Sequence, residues 1–173
     1  MTILSTERLT IRDYIESDFN DLHSVLSDAA HMYFLDDIVS RSREDTRANL
    51  NAAALNENGH YFCVRESGTG AYVGSVGYDI TDVTPIGKIA HMGYWAHPAR
   101  QGRGYITEAV KRVLAFAFEE DGCIRVTTGC YSDNKASRRV MEKAGFRREG
   151  ERIAAAWHDG KMKDRLDYAV NIN

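Results

Sequence analysis

Segment 95–106 constrains the fold more than any other part of the chain. It reads Trp-Ala-His-Pro-Ala-Arg-Gln-Gly-Arg-Gly-Tyr-Ile and joins an extended run over 88–96 to a helical pattern that continues to Phe118. Pro98 ends the extended run, because proline lacks the N–H that strand pairing needs. Glycines let the backbone approach an anion, and the first N–H groups of a helix have no partners within it. The segment therefore predicts a phosphate-binding turn, with a simple tight turn as the alternative.

The rest of the chain surrounds this segment with a mixed sheet. Strands are predicted at 9–12, 61–65, 72–80, 88–96, 124–130, 147–157 and 162–171, where residues alternate or β-branched and aromatic residues cluster. Helices are predicted from an N-cap at Ser17, within 43–57, from Ile106 to Phe118, and from a cap at Asp133 or Asn134 to Gly145. The order β-α-α-β-β-β-α-β-α-β-β predicts an α+β fold with a mixed sheet flanked by helices.

Length and charge narrow the classes of protein. The 173 residues suit one domain over 1–173, and 22 Lys+Arg against 25 Asp+Glu give a net charge of −3. This balance gives no general attraction to nucleic acid, and no apolar run reaches the ~18 residues of a membrane span. With no signal-peptide pattern at the start, we expect a soluble cytoplasmic protein with neither a nucleic-acid nor a membrane partner.

Cysteine and histidine spacing predicts neither disulfides nor a metal site. Cys63, Cys123 and Cys130 are an odd number and form no C-x-x-C pair, so buried free thiols are expected. The six histidines are scattered without the spacing of metal ligands on one helical face. Cys130 as an acyl-carrying nucleophile is disfavoured, because its place in an alternating strand predicts burial.

The glycine turn fits neither common nucleotide motif. It lacks the G-K-[ST] of a Walker loop and the third glycine of the dinucleotide fingerprint, so ATP and NAD are not expected. Gln101-Gly-Arg-Gly104-Tyr-Ile106 instead resembles the Q/R-x-x-G-x-G/A motif of the GNAT superfamily of acetyl-CoA-dependent N-acetyltransferases, except that Ile106 replaces the final small residue.

A closer resemblance is to the RimJ/RimL-like branch, the ribosomal-protein N-terminal acetyltransferases. Three stretches carry it: Thr6-Glu-Arg-Leu-Thr-Ile-Arg12, Gly93-Tyr-Trp95, and the segment from Asn134 to Phe146, which matches N-x-x-S-x-x-x-x-E-K-x-G-F. The resemblance covers nearly the whole chain. It implies a single-domain GNAT-like fold with a mixed, mostly antiparallel sheet.

The resemblance also implies how acetyl-CoA is bound. The pantetheine arm would lie along the backbone of 92–96, the pyrophosphate would meet the turn with added charge from Arg100, and Asn134 would face the thioester. The implied cofactor contacts are Tyr94, Trp95, Ala96, Gln101, Gly102, Arg103, Gly104, Tyr105, Ile106 and Asn134.

Two catalytic residues are expected from the same resemblance. Many GNAT enzymes protonate the leaving thiolate with a tyrosine, but that position here is Met141. In the RimJ/RimL-like branch a serine is given the role of hydrogen-bonding or protonating the CoA sulfur, and the resemblance implies this role for Ser137. His91 stands where several GNAT enzymes carry a basic glutamate, and imidazole can do this work near neutral pH. For Ser137 the alternative is a bond to its own helix, and for His91 a polar partner in the sheet.

The last two predicted strands identify neither the catalytic base nor the residues of the acceptor pocket. The acidic base described in the ribosomal branch has no counterpart in Ala154-Ala-Ala-Trp157, so His158 is a second candidate, with a solvated turn residue as the alternative. Trp95, Trp157 and the Met32–Leu35 segment are candidates for the acceptor pocket, with ordinary packing as the alternative.

The function these features predict is direct acetyl transfer from acetyl-CoA to a primary amine, either a protein N-terminus or a small molecule. A homodimer is a possible assembly. The alternative is a non-catalytic module that binds acyl-CoA, since both the late acid and the usual tyrosine are missing.

Overall fold

The computed structural model describes residues 1–35 and 38–172. Its strands are β1 (Ile3–Ser5), β2 (Leu9–Asp13), β3 (Gly59–Glu66), β4 (Tyr72–Thr84), β5 (Gly87–Ala96), β6 (Cys123–Tyr131), β7 (Arg147–His158) and β8 (Lys161–Asn171). Its helices are α1 (Phe19–Leu26), α2 (Arg43–Ala54), α3 (Tyr105–Glu119) and α4 (Lys135–Ala144). In this part of the chain, no helix is long and apolar enough to cross a membrane.

The strands form one sheet in the order β1-β2-β3-β4-β5-β6-β8-β7. Neighbours pair antiparallel except β5 and β6, which are parallel. The predicted α+β fold with a mixed, mostly antiparallel sheet is therefore confirmed. The short strand β1 was not predicted, because three residues are too few to establish an alternating pattern.

The two faces of the sheet pack against different helices. One face buries Phe62, Val76 and Met92 with the apolar side of α3 and with Met141 of α4. The other buries Cys63 with α1 and with Leu50 of α2. Because successive strand residues point to opposite faces, Tyr94 lies against the first core and Trp95 against the second.

Most predictions from short stretches of sequence, such as helix caps and helix ends, are confirmed. Asn134 caps α4 by accepting the Ser137 N–H at 3.0 Å, and Gly145 ends that helix at a φ of 99°. All three cysteines are buried free thiols, as expected. Ser17 is not an N-cap: Glu16–Asp18 forms a 3₁₀ turn, and α1 begins only at Phe19.

Asp18 replaces Ser17 as the polar residue that organises this corner. Its carboxylate is fully buried, accepts the Ile15 N–H at 2.9 Å, and pairs with Arg12 of β2 at 2.7 Å and Arg65 of β3 at 2.6 Å. Burial alone would raise the pKa of Asp18, but the bonds from Arg12, Ile15 and Arg65 outweigh it and lower the pKa to about 2. This stabilisation is present above the ordinary aspartate pKa of ~3.9 and is lost as the pH falls through about 2.

We predict that Asp18→Asn lowers the free energy of unfolding by about 3–5 kcal/mol at pH 7, because it leaves two arginines facing an uncharged partner in a buried site. Denaturant unfolding measures the change. The control is Glu16→Gln, which breaks an ion pair to Arg47 at a side chain that is 76% exposed, and it should cost no more than about 0.5 kcal/mol. Equal midpoints for the two variants would contradict the prediction.

Candidate functional site

The site lies where β5 and β6 part. Their parallel pairing runs from Lys88 opposite Cys123 to His91 opposite Thr127 and goes no further, although both strands continue. The gap opens into a cleft of about 1150 Å³ between the turn before α3, helix α4 and the segment 30–35. The predicted site residues that line it are His91, Tyr94, Trp95, Ala96, Gln101, Gly102, Gly104, Tyr105, Ile106, Asn134 and Ser137. Arg103 is the one predicted contact outside this lining.

The turn before α3 has a conformation that suits anion binding. Gly102 and Gly104 have φ values of 73° and 79°, a left-handed region that favours glycine. Gly104 is immediately followed by α3, whose first N–H groups have no partners within the helix. Ile106 is 8% exposed and belongs to the core, so the bulky residue at this motif position projects largely into the core. Arg100 lies 3.7 Å from the Glu66 carboxylate, so its charge is partly paired.

The edge of β5 is open at Tyr94. The Met92 carbonyl accepts the Thr128 hydroxyl at 2.9 Å, and the Ala96 carbonyl accepts a hydrogen bond from His31 Nε2 at 2.6 Å. Backbone groups two residues apart in a strand point the same way, so the N–H and C=O of Tyr94 also face the gap. An extended ligand can add to this edge in the manner of a further strand.

A tyrosine hydroxyl reaches α4 from β5. Tyr94 Oη lies 2.9 Å from Ser137 Oγ and 3.2 Å from the Ser137 carbonyl oxygen. Burial raises the pKa of Tyr94, with the Ser137 bond acting in the opposite direction. Met141, at the position where a tyrosine was sought, is fully buried. The sequence motif indicated Tyr94 only as a backbone contact. The available signal for its side chain was the two-residue spacing from buried Met92, which places both side chains on the face of the sheet that carries α4.

Cys130 lies next to this hydroxyl pair but is not an activated thiol. Burial raises its pKa, and the hydrogen bond with Ser137 only partly offsets the effect. A raised pKa leaves little thiolate near neutral pH, and the thiolate is the nucleophilic form. The prediction that Cys130 is no acyl carrier agrees with this environment.

His91 is exposed and lines the cleft, and its ring nitrogen Nδ1 is hydrogen-bonded to Thr127. Its Nδ1 lies 3.0 Å from Thr127 Oγ1, and that hydroxyl donates to the Ala90 carbonyl at 3.1 Å. Because the Thr127 proton is used, Nδ1–H donates to Thr127, and the Nε2 lone pair faces away from this bond. Loss of hydration and the charge of Arg165 lower the pKa of His91, while Asp79 and Asp167 oppose this.

His158 is not a solvated turn residue. It is 3% exposed and stacks on Tyr131 with ring centroids 4.6 Å apart, with Tyr33 at the same distance edge-on. Trp157 is 70% exposed, whereas the Trp95 indole donates to the Tyr72 hydroxyl at 3.1 Å and lines the cleft. The two tryptophans therefore do not share one pocket.

The segment 32–35 is tied to the β7–β8 hairpin. Lys163 of β8 donates to the Tyr33 hydroxyl at 3.1 Å and pairs with Asp133 at 2.7 Å. All four residues of this segment line the cleft, and Met32 and Leu35 also pack in the core on the side of α1 and α2. Core packing is therefore confirmed for part of the segment, and its role toward an acceptor stays a prediction.

Comparison with known proteins identifies the family. Residues 8–147 match the model of the acetyltransferase (GNAT) domain. The chain belongs to the GNAT acetyltransferase family. An uncharacterised N-acetyltransferase of Bacillus subtilis, YnaD, is 28% identical over 148 residues, 85% of this chain and 84% of the relative. The ribosomal-protein-serine acetyltransferase of Escherichia coli is 26% identical over 111 residues, 64% of this chain and 61% of that protein.

A solved structure extends the match to the whole fold. The GNAT acetyltransferase of Bacillus anthracis superposes with a TM-score of 0.85 at 28% identity and covers 98% of both chains. Together with the sequence matches, it confirms the GNAT fold, the RimJ/RimL-like resemblance and the N-acetyltransferase class that the motifs predict.

The GNAT fold here carries a clamp between its first residues and the glycine turn. The Glu108 carboxylate of α3 accepts bonds from the Thr6 hydroxyl and from Arg8 Nε, the latter at 2.7 Å. Arg8 also donates to the Arg103 carbonyl at 3.2 Å, and its guanidinium lies 4.6 Å from the centre of the Tyr105 ring. The Thr-x-Arg start of the sequence therefore holds the turn and the first turn of α3 in place.

We predict that Glu108→Ala weakens coenzyme A binding several-fold, because the turn loses its clamp. Weaker binding would point to lost positioning of the turn, because removing a negative charge beside a site for a polyanion would by itself strengthen binding. Calorimetric titration with coenzyme A measures the change. Glu120→Ala, at the far end of the same helix and paired with Arg112, is the matched control and should leave the affinity unchanged. Tighter binding by Glu108→Ala would show that charge outweighs positioning.

Proposed function

We propose that this chain transfers acetyl from acetyl-CoA directly to a primary amine within the cleft between β5 and β6. The observation that carries the proposal is a convergence in one cleft: the left-handed glycine turn before α3, the open Tyr94 edge, the Tyr94–Ser137 hydroxyl pair and His91. Each feature suits a different part of one reaction. Acetyl-CoA supplies the acetyl group as a thioester.

The residues present fit coenzyme A as a ligand. Gly102 and Gly104 and the N–H groups that open α3 suit the pyrophosphate, because backbone donors at the positive end of a helix dipole bind anions. The gap-facing C=O of Tyr94 suits an amide N–H of the pantetheine arm. Asn134 serves the site indirectly, since its side chain caps α4 and fixes Ser137.

His91 is proposed as the base. As the amine nitrogen forms its bond to the thioester carbonyl carbon, the nitrogen loses a proton, and the His91 Nε2 lone pair accepts it directly or through one water. The Thr127 bond at Nδ1 fixes the required tautomer. The Tyr94 N–H, which faces the gap, is placed to stabilise negative charge on the carbonyl oxygen.

Ser137 and Tyr94 are proposed to act on the leaving group. When the carbon–sulfur bond breaks, the electron pair stays on sulfur, which then needs a proton. The Tyr94 hydroxyl can donate its one proton either to the Ser137 carbonyl or to Ser137 Oγ. In the second arrangement, the Ser137 hydroxyl proton is free to pass to the sulfur. The hydroxyl of Tyr94 thus supplies from β5 what other GNAT enzymes take from a tyrosine on α4.

Thiol release from acetyl-CoA, measured with a panel of amines, tests the proposed reaction. The panel includes short peptides with free N-termini, alkylamines and diamines. We expect release that depends on both the amine and acetyl-CoA, with N-acetylated product in equal amount. Coenzyme A binding without release by any amine would instead support the alternative, a non-catalytic acyl-CoA-binding module.

We predict that His91→Gln lowers kcat/KM about a hundredfold at pH 7.5, the usual contribution of a general base. Over the whole range, the amine must lose a proton before it can react, which gives a slope of 1. Because the pKa of His91 is lowered from its ordinary ~6.5, protonation of His91 becomes a second cause of lost activity only below pH 6.5. There, log kcat/KM of the wild type should steepen toward a slope of 2, whereas the variant keeps a slope of 1. His23→Gln, which breaks a similar histidine–threonine bond to Thr46, should match the wild type. Identical profiles for wild type and His91→Gln would remove His91 as the base.

We predict that Ser137→Ala and Tyr94→Phe each lower kcat by roughly tenfold to a hundredfold while coenzyme A affinity changes little. Their effects should not multiply in the double variant, because both hydroxyls belong to one proton path. Steady-state kinetics and titration with coenzyme A separate the two effects. Tyr131→Phe removes another hydroxyl from the cleft and is the control. Additive losses, or a loss confined to affinity, would contradict the proposed path.

A further inference from the structure

A second cavity of about 450 Å³ lies on the face of the sheet that packs against α1 and α2. Leu35, Gly93, Tyr94 and Trp95 line both this cavity and the cleft, so the two spaces meet near the C-terminal end of β5. We call it the side pocket. The proposed reaction uses the cleft but assigns nothing to the side pocket.

Among residues 1–35 and 38–172, no side chain fills the space over Gly93 at the centre of the junction. Gly93 lies opposite Gly77 of β4, and a Cβ at Gly93 would meet no atom within 4 Å. At Gly77 a Cβ would come within 2.4 Å of Tyr61 Cδ1, so the tyrosine ring takes the space that a side chain there would fill. The sheet therefore forms a smooth floor between the side pocket and the cleft.

The walls of the side pocket are apolar except in one region. Leu22 and Leu26 of α1, Ala53 of α2 and Trp95 form the apolar part. The polar part holds Asp79 of β4 with side chains of the α2 region and β3, namely Asn49, Asn56 and Tyr61.

Asp79 is a half-buried carboxylate held in a fixed orientation. It accepts the Tyr61 hydroxyl at 2.6 Å and the Asn56 amide at 2.8 Å. A carboxylate offers about four lone-pair sites, so acceptor capacity remains for a ligand. Within residues 1–35 and 38–172, neither lysine nor arginine forms an ion pair with Asp79. A carboxylate in an apolar pocket without a cationic partner is suited to bind a cation from solution.

Asp79 and His91 serve neighbouring but separate spaces. They are directly opposite in the β4–β5 register and share a face, yet Asp79 lines the side pocket and His91 lines the cleft. An anion bound to the reacting nitrogen would stabilise its ammonium form and oppose attack. The cation that Asp79 receives is therefore a different group from the nitrogen that His91 deprotonates.

We propose that the side pocket binds the body of the acceptor, and that Asp79 selects a small dication: a primary amine joined through a short apolar spacer to a second ammonium group. The reacting amine then lies at the Gly93 junction, the spacer lies against the leucines of α1, and the second ammonium binds Asp79. This inference rests on the proposed acetyl transfer and names its substrate class.

The test compares two acceptors that differ in one group, 1,5-diaminopentane and n-pentylamine, in thiol release with acetyl-CoA. The wild type should prefer the diamine in kcat/KM by roughly tenfold or more after correction for its two reactive ends, as expected for one charge-assisted contact. Asp79→Asn should raise KM for the diamine by about the same factor and leave n-pentylamine unchanged. Asp82→Asn, an exposed carboxylate removed from the same strand, is the control for net charge.

The outcomes separate this inference from the reaction itself. Turnover of both amines with equal efficiency in the wild type, or equal loss of both in a folded Asp79→Asn protein, would overturn the role of Asp79 while acetyl transfer stands. Preference for a peptide N-terminus over both amines would likewise overturn it. If no amine causes thiol release from acetyl-CoA, the proposed function itself is contradicted. The wild-type preference is measured without a variant, so the test does not depend on Asp79→Asn folding.

Discussion

The parting of β5 from β6 is the constraint on which the rest of the site depends. Each strand is held by its outer neighbour: β4 pairs with β5 as far as Ala96, and β8 pairs with β6 as far as Tyr131. The gap between them therefore does not close, and the Thr128 hydroxyl satisfies the Met92 carbonyl where the ladder stops. Unpaired backbone is costly when buried, so a gap of this kind persists only where solvent or a ligand can bond it.

The gap also gives the proposed reaction two sides. Alternation along β5 directs Tyr94 toward α4 and Ser137, and directs His91 and Gly93 to the opposite face with Asp79 of the neighbouring strand. In the proposed reaction, the groups that act on the thiolate and the groups that act on the amine therefore lie on opposite faces of one sheet and meet only at the gap. A mildly acidic chain can bind a polyanion there, because backbone N–H groups and local positive charge act at short range.

How much the sequence predicted follows from how local each signal is. The glycine turn, the Asn134 cap and the end of α4 at Gly145 were predictable, because each depends on a few consecutive residues. The prediction of a cap at Ser17 was wrong because Asp18 is the buried polar residue there, and its partner Arg65 lies 47 residues away, where a local pattern does not reveal it. The interpretation of His158 as a solvated turn residue was wrong because the ring of Tyr33, far away in sequence, packs against it.

From the sequence alone came the order of the elements apart from β1, the position of the glycine turn before α3 and the family that its motifs resemble. Backbone preferences and hydrophobic periodicity act over short stretches of chain, so these features could be read residue by residue. The tertiary structure brings Tyr94 to Ser137, joins Glu108 to Thr6 and Arg8 beside the turn, and places Asp79 in a pocket beside His91. Each of these contacts depends on how the strands pair and how the helices pack on the sheet, which brings together residues that no spacing along the chain connects.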